Sequence, residues 1–332
     1  MRRLVLAVLS AVVVGLGVAA GVVALLLHRP GPPLAAPLTF TVAEGTRLGD
    51  LARDLADRGL LRAPGLFTAW ARLTGRDRQV HWGEYVVSTA LSPLELLDRL
   101  TGPPAPQHSV TLPEGLTARE VVGLLERAGF GAAESFDCVL DDPAFLAAEE
   151  LPAAGAEGYL FPDTYAFPLA TPPDRILRTM LARFREVTGT RFARRAWDLG
   201  LDVPAAVTLA SLIEEEAARA DERRLVSAVF HNRLRRGMPL QSDPTVLYGR
   251  PNGDRTISRA DLRRATPYNT YVIAGLPPAP IANPGRASLE AAVDPAAVDY
   301  LYFVARGDGS HEFSSTLAAH NAAVARWQRG GR

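Results

Sequence analysis

Residues Leu4 to Leu27 form an apolar run interrupted only by Ser10 and several glycines. At roughly 24 residues it exceeds the ~20 that a helix needs to cross the hydrocarbon core of a bilayer. A cleaved signal peptide has a shorter apolar stretch that ends at a small-residue cleavage site. Ala19-Ala20-Gly21 mimics such a site, but apolar residues continue beyond it, so the run reads as a retained signal anchor. Arg2 and Arg3 precede the span, while only His28 and Arg29 follow it closely. The positive-inside rule then favours a cytoplasmic N-terminus and places everything after Arg29 on the far side of the cell membrane. The segment His28-Arg29-Pro30-Gly31-Pro32-Pro33 reads as a stiff tether. The expected order is a cytoplasmic tip and transmembrane anchor over 1–29, a tether over 30–37, and a folded remainder.

The 332 residues allow two or three domains. With 36 basic and 36 acidic side chains the formal net charge is zero, and arginine stands wherever lysine could. This balance, without a basic cluster, argues against nucleic acid as the main partner. The missing lysine excludes a P-loop GK[ST], a Schiff-base enzyme and a Ser–Lys dyad. Cys138 is the single cysteine, which excludes an intramolecular disulfide and a thiolate metal cluster. Its surroundings, GAAESFDCVLDD, offer no electropositive setting for a nucleophilic thiolate. The histidines show no ligand pattern such as HExxH, so no metal and no cofactor are expected.

After the tether, Leu38 to Val42 reads as a strand, followed by helices over Leu48–Arg58 and Pro64–Thr74. A second strand at Tyr85-Val86-Val87 and a helix over Pro93–Thr101 complete the segment. Thr46 suits an N-cap and Gly59 a helix stop. This βααβ order over 38–102 resembles a LysM module, which in other proteins binds amino-sugar polymers; a plain structural spacer is the alternative. The opening turn has an echo: Thr41-Val42-Ala43-Glu44-Gly45-Thr46 is matched by Thr111-Leu112-Pro113-Glu114-Gly115-Leu116, again before an amphipathic helix, Ala118–Ala128. Between the copies, Gly102-Pro103-Pro104-Ala105-Pro106 marks a boundary. Glu114 reads as a turn residue.

The larger domain, 107–328, reads as mixed α and β. Its helices are expected over Pro173–Thr188, Pro204–Ala218, Asp221–Arg236 and Ser315–Gln328, with a strand at Tyr300–Val304. Long loops rich in proline and polar residues separate the later elements, and binding residues tend to sit on such loops. The fold class is therefore α+β: one N-terminal transmembrane helix, a small LysM-like βααβ module and a larger mixed domain.

Within that domain, the helix Pro204–Ala218 carries acids where apolar side chains belong. At about 100° per residue, Val207, Ala210, Ser211 and Glu214 share one face, and Leu209, Leu212, Ile213 and Glu216 share the opposite one. Each face is small or apolar and bears one carboxylate. A carboxylate near a helix C-terminus opposes the macrodipole, and partial burial likewise disfavours its charged form. That is how a general acid is made available at neutral pH. A solvated acidic helix end is the other reading of this segment taken alone.

Six ordered motifs decide between these readings. They are EGYLFPDTY (157–165), LASLIEEE (209–216), VFHNRLRRGMPLQSDPTVLYG (229–249), YNTYVIAGLPPAPIANP (268–284), YLYFVARGDGSHEF (300–313) and His320-Asn321. Together they closely resemble the YceG-like endolytic murein transglycosylase family, over most of residues 105–325. By that resemblance Glu214 falls on the family's catalytic glutamate, Glu216 on a second acid usual in the motif, and Glu215 on a variable position. Glu312 departs from the Thr often found there, and Tyr159-Leu160 from aromatic pairs.

The resemblance implies cleavage of the β-1,4 bond between N-acetylmuramic acid and N-acetylglucosamine within a glycan strand, leaving a 1,6-anhydro end. Because the attacking hydroxyl belongs to the substrate, one carboxyl group can act first as acid and then as base. Glu214 is assigned that role, with Glu216 as a supporting acid. Tyr159, Asn232, Gln241, Ser242, Asp243, Tyr268, Asn269, Tyr271 and His311 are candidate sugar contacts. The tyrosines could equally be half-buried loop anchors, Asp243 an Asx turn before Pro244, and His311 and His320 structural. Two rivals stand beside this reading: a muramidase-type hydrolase with Asp243 or Glu216 as base, and a non-catalytic peptidoglycan-binding scaffold. The partners expected are peptidoglycan glycan strands, the membrane, and glycan-synthesising enzymes, with no nucleic acid.

Overall fold

The computed structural model describes residues 2–328 except 32, 34–37, 44, 88–89, 105, 170 and 251–255, with residues 2–8 as backbone only. The chain divides into two units, residues 1–108 with 166–172, and residues 109–165 with 173–332. Helix α1 (Arg2–His28) opens the first unit. Its Leu9–His28 stretch has a mean hydropathy of 2.5 and leaves Leu9, Val12, Val13, Val14, Leu16 and Leu25 exposed. An exposed apolar surface of that length is what a bilayer would cover. Most of the expected tether, residues 32 and 34–37, lies outside the described residues.

The remainder of the first unit is a β–α–α–β arrangement followed by a further helix. Strand β1 (Leu38–Val42) pairs antiparallel with β2 (Gly83–Val87), and α2 (Leu48–Asp57) and α3 (Pro64–Leu73) lie between them in sequence. Register places Phe40 opposite Tyr85, and their rings stack 5.7 Å apart. The Tyr85 hydroxyl reaches the carbonyls of His81 (2.9 Å) and Leu100 (3.2 Å), so its polar end stays satisfied inside the core. Leu51, Leu55, Phe67, Leu96, Leu97 and Leu100 fill the remaining core. Each such side chain contributes about 1.5–3 kcal/mol by leaving water. Helix α4 (Pro93–Thr101) starts in a reciprocal cap between Ser92 and Glu95.

Strand β3 (His108–Thr111) pairs with β4 (Thr164–Phe167). The echo seen in the sequence is also an echo in the backbone, since Gly45 and Gly115 both adopt left-handed φ values, +77° and +80°. Glu44, in the first copy, lies outside the described residues. Helix α5 (Ala118–Arg127) follows the second turn, capped reciprocally by Thr117 and Glu120. Two short helices, α6 (Ala133–Leu140) and α7 (Pro143–Ala148), stand where no element was expected.

Helix α8 (Pro173–Asp198) runs beyond the expected Thr188, broken at Gly189 (φ +55°), which lets the chain resume as a second helical stretch. Helix α9 (Val203–Glu216) is the centre of the unit. The Asp202 side chain caps it by accepting from Ala205 N (2.8 Å), Pro204 occupies its first turn, and Ala206 through Ile213 are all buried. It stops at Glu216, short of the expected Ala218, because Ala217 turns extended. Around it lie α10 (Arg223–Arg235), α11 (Asp243–Leu247) and α12 (Arg286–Ala292). The hairpin of β5 (Tyr302–Ala305) and β6 (His311–Ser314) and the closing helix α13 (Leu317–Trp327) complete the unit. The architecture is mixed α and β, as expected.

Candidate active site

The last turn of α9 delivers two carboxylates to different surroundings. Glu214 is recessed, its side chain 7% exposed. Its Oε2 accepts from the backbone N–H of Gly285 at 2.9 Å, and its Oε1 lies 3.5 Å from Arg223 Nη2. Arg223, the first residue of α10, is braced by donating from Nε to Ser288 Oγ on α12 (3.1 Å). The carboxyl is thus oriented from two neighbouring helices, as a proton-transfer group requires.

A second acid reaches the same place. Glu114, in the turn after β3, sets its carboxyl against the Cα of Gly285, so closely that a Cβ on Gly285 would overlap it. Its Oε2 stands 4.0 Å from Arg223 Nη2. Burial, and then the Glu214 charge, push the Glu114 carboxyl up, against the pull of Arg223. The turn is seated by reciprocal backbone bonds: Gly115 N donates to Asn283 O (3.0 Å), and Asn283 N to Leu116 O (2.8 Å). Asn283 adds its side chain, accepting from Leu160 N (2.9 Å) and donating to Leu116 O (2.8 Å). The loop that carries Asn283 is fastened to α9 through Ser211, whose hydroxyl accepts from Ile281 N (3.1 Å).

Glu216 faces a different group. Ser242 donates to its Oε1 at 2.7 Å, and Tyr271 donates to Asp243 Oδ1 at 2.6 Å. Burial pushes the Glu216 carboxyl up to about 7 against the Ser242 hydrogen bond, and the Asp243 charge adds to the rise. Gln241, at φ +53°, accepts from the buried Arg233 (3.2 Å), which also holds the carbonyls of Leu240 and Leu301. The structure therefore gathers Glu216, Gln241, Ser242, Asp243 and Tyr271 into one cluster. Asp243 begins α11 and is not a free loop residue.

The other candidates fall elsewhere. Tyr268 packs against Tyr248, ring centroids 4.7 Å apart, and the Tyr248 hydroxyl donates to Glu157 Oε2 (3.1 Å). Glu157 also accepts from Ala118 N (2.8 Å), and burial pushes its carboxyl up to about 7 against these bonds. Tyr159 is buried edge-on against Phe184 at 5.0 Å, its hydroxyl raised to about 12 by burial. Asn232 donates to the carbonyls of Val298 (3.0 Å) and Tyr300 (2.8 Å), and Asn269 to those of Asp261 (3.1 Å) and Arg264 (2.7 Å), so both brace loops. His311 holds Glu222, the N-cap of α10, through Nδ1 (2.7 Å) and its backbone N–H (2.9 Å).

Sequence reasoning did not pick out Arg223, Gly285 or Glu157 as functional, and it took Glu114 for a turn residue. The only signal was the repeated Glu-Gly turn, and a turn glutamate does not disclose which distant glycine leaves room for it.

Together these features define an α+β protein whose buried central helix presents a recessed, arginine-flanked carboxylate beneath polar loops. The chain belongs to the YceG-like family, whose model matches residues 40–326. The resemblance read from the sequence motifs is borne out. The chain is 30% identical over 304 residues to the endolytic murein transglycosylase of Bacillus subtilis, covering 86% of this chain and 83% of that one. It is also 30% identical to the protein of the same name from Streptococcus pneumoniae, over 87% of this chain, and spans 58% of the pneumococcal protein's length. Among solved structures, a YceG-like protein from Listeria monocytogenes aligns with a TM-score of 0.60 and 28% identity, covering 86% of this chain and 99% of that one.

Proposed function

We propose that this protein is a membrane-anchored lytic transglycosylase that cuts within peptidoglycan glycan strands, with Glu214 as its acid and then its base. The observation that carries the reading is the fixed, recessed Glu214 carboxyl, oriented by the Gly285 N–H and by Arg223. It is supported by the family membership and by the names of the relatives. In the forward step Glu214 gives its proton to the glycosidic oxygen as the bond from C1 of N-acetylmuramic acid breaks. The C6 hydroxyl of the same sugar attacks C1, and the Glu214 carboxylate takes the hydroxyl proton, restoring the acid. No water is consumed, and internal attack brings a proximity advantage. Glu216, hydrogen-bonded to Ser242, supports the helix end, and its neighbours Tyr271, Gln241 and Asp243 line the approach for the sugars. Helix α1 serves as the anchor, with its N-terminus cytoplasmic. The β–α–α–β segment is a LysM-like module, and nascent strands beside the synthesising enzymes are the substrate.

The test incubates the full chain in detergent micelles, and Glu214→Gln, with uncrosslinked glycan strands and reads the new ends by mass spectrometry. Anhydro-muramic ends from the wild type and none from the variant are expected. Reducing ends, one water heavier, would move the protein to the hydrolases. Binding without cleavage by either protein would leave a scaffold.

A further inference from the structure

We propose that Glu114 is a positioning residue for Glu214: by sharing Arg223 it prevents a closed ion pair and leaves Glu214 free to carry the proton it must donate. The inference rests on Glu214 being the acid.

A buried or half-buried arginine beside a carboxylate ordinarily holds that carboxylate in its charged form. Arg223 stands 3.5 Å from Glu214, and its side chain is only 14% exposed, so alone it would work against a general acid. The groups facing Glu214 alter that balance. From α10 comes the Arg223 guanidinium, and from the turn after β3 comes Glu114, 4.0 Å from the same Nη2. From the N-cap of α12 comes the neutral N–H of Gly285, and Glu215 on α9 itself sets its Oε1 beside Gly115. One guanidinium between Glu114 and Glu214 leaves an excess negative charge, which one proton cancels. Glu114 is seated for this by the absence of a side chain at Gly285, whose own backbone (φ −74°, ψ 171°) any residue could adopt. The glycine is therefore needed for space and not for conformation.

The experiment measures the pH dependence of kcat and KM on uncrosslinked glycan strands with the full chain in detergent micelles. Four variants are compared: Glu114→Gln, Gly285→Ala, Arg223→Gln and the double variant Glu114→Gln/Arg223→Gln. A like charge beside a carboxyl favours its protonated form, and the half-exposed position of Glu114 keeps that effect to about one pH unit. Glu114→Gln is expected to move the alkaline limb of kcat about one pH unit lower, a roughly tenfold rate loss on that side, with KM unchanged. Gly285→Ala, which evicts the Glu114 carboxyl without altering its charge, should shift the limb the same way, and it carries the test if Glu114→Gln fails to fold. Arg223→Gln should move the limb upward, and the double variant should return it toward the wild-type position. A purely structural Glu114 would lower the unfolding temperature, leave the limb in place and show no return in the double variant; that pattern overturns the inference. Retained cleavage in Glu214→Gln would instead overturn the underlying reading, so the two failures are distinguishable.

Discussion

Replacing Glu157 with glutamine should change how stability depends on pH. Burial raises the Glu157 carboxyl from an ordinary 4.5 to about 7. Between those values the folded chain holds a proton that the unfolded chain has released. Stability therefore falls as pH rises through the window, and levels off above about 7. At 1.36 kcal/mol per pH unit the interval corresponds to about 3 kcal/mol, a large share of the 5–15 kcal/mol typical of a domain. The glutamine side chain resembles the protonated acid: its oxygen can accept from Ala118 N, and the Tyr248 hydroxyl remains within reach of its other atom. Urea unfolding of the full chain in detergent micelles, followed by tryptophan fluorescence at fixed pH from about 4.5 to 8, gives the comparison. The variant should gain on the wild type by about 3 kcal/mol across that range. Glu216, also raised to about 7, tilts both curves equally and cancels in the difference. Parallel curves with a constant gap would refute the reasoning, because they would mean that Glu157 binds its proton no more tightly folded than unfolded.

Other outcomes follow from the same geometry. Asn283→Ala removes the acceptor of Leu160 N and one donor to Leu116 O inside the loop seat, and should cost about 2–3 kcal/mol, read calorimetrically as a drop of about 4–10 °C. Asp202→Ala uncaps α9 and should cost about 1 kcal/mol, with activity per folded molecule unchanged. Glu214→Gln should abolish new anhydro ends while leaving the unfolding temperature within a few degrees of the wild type.

Much of this architecture was legible because it depends on local rules. Pro204 at a helix start, an apolar α9 ending in acids, and the alternation of Phe40 and Val42 in one strand and of Tyr85 and Val87 in the other are all written within a few residues. Helices α6, α7 and α12 were not legible. They are eight residues or fewer, too short to show a period, and α6 and α7 each bury a single phenylalanine, Phe136 and Phe145. The candidate site divided the same way. The acids that end α9 stand out within their own helix, whereas the positions of Glu114 and Arg223 depend on partners distant in sequence. Tyr159 illustrates the opposite limit: an aromatic cluster announces that rings are present, but only packing decides that this ring faces Phe184.

The bare Cα of Gly285 also has an evolutionary consequence. Any side chain there collides with the carboxyl of Glu114, and its N–H is committed to Glu214. The glycine and the turn glutamate therefore form an epistatic pair, in which position 285 cannot gain a side chain while the acid stays. Lineages of this family that acquire a side chain at position 285 should already have shortened or lost the acid at 114, and the order of those two events should be readable in their descent.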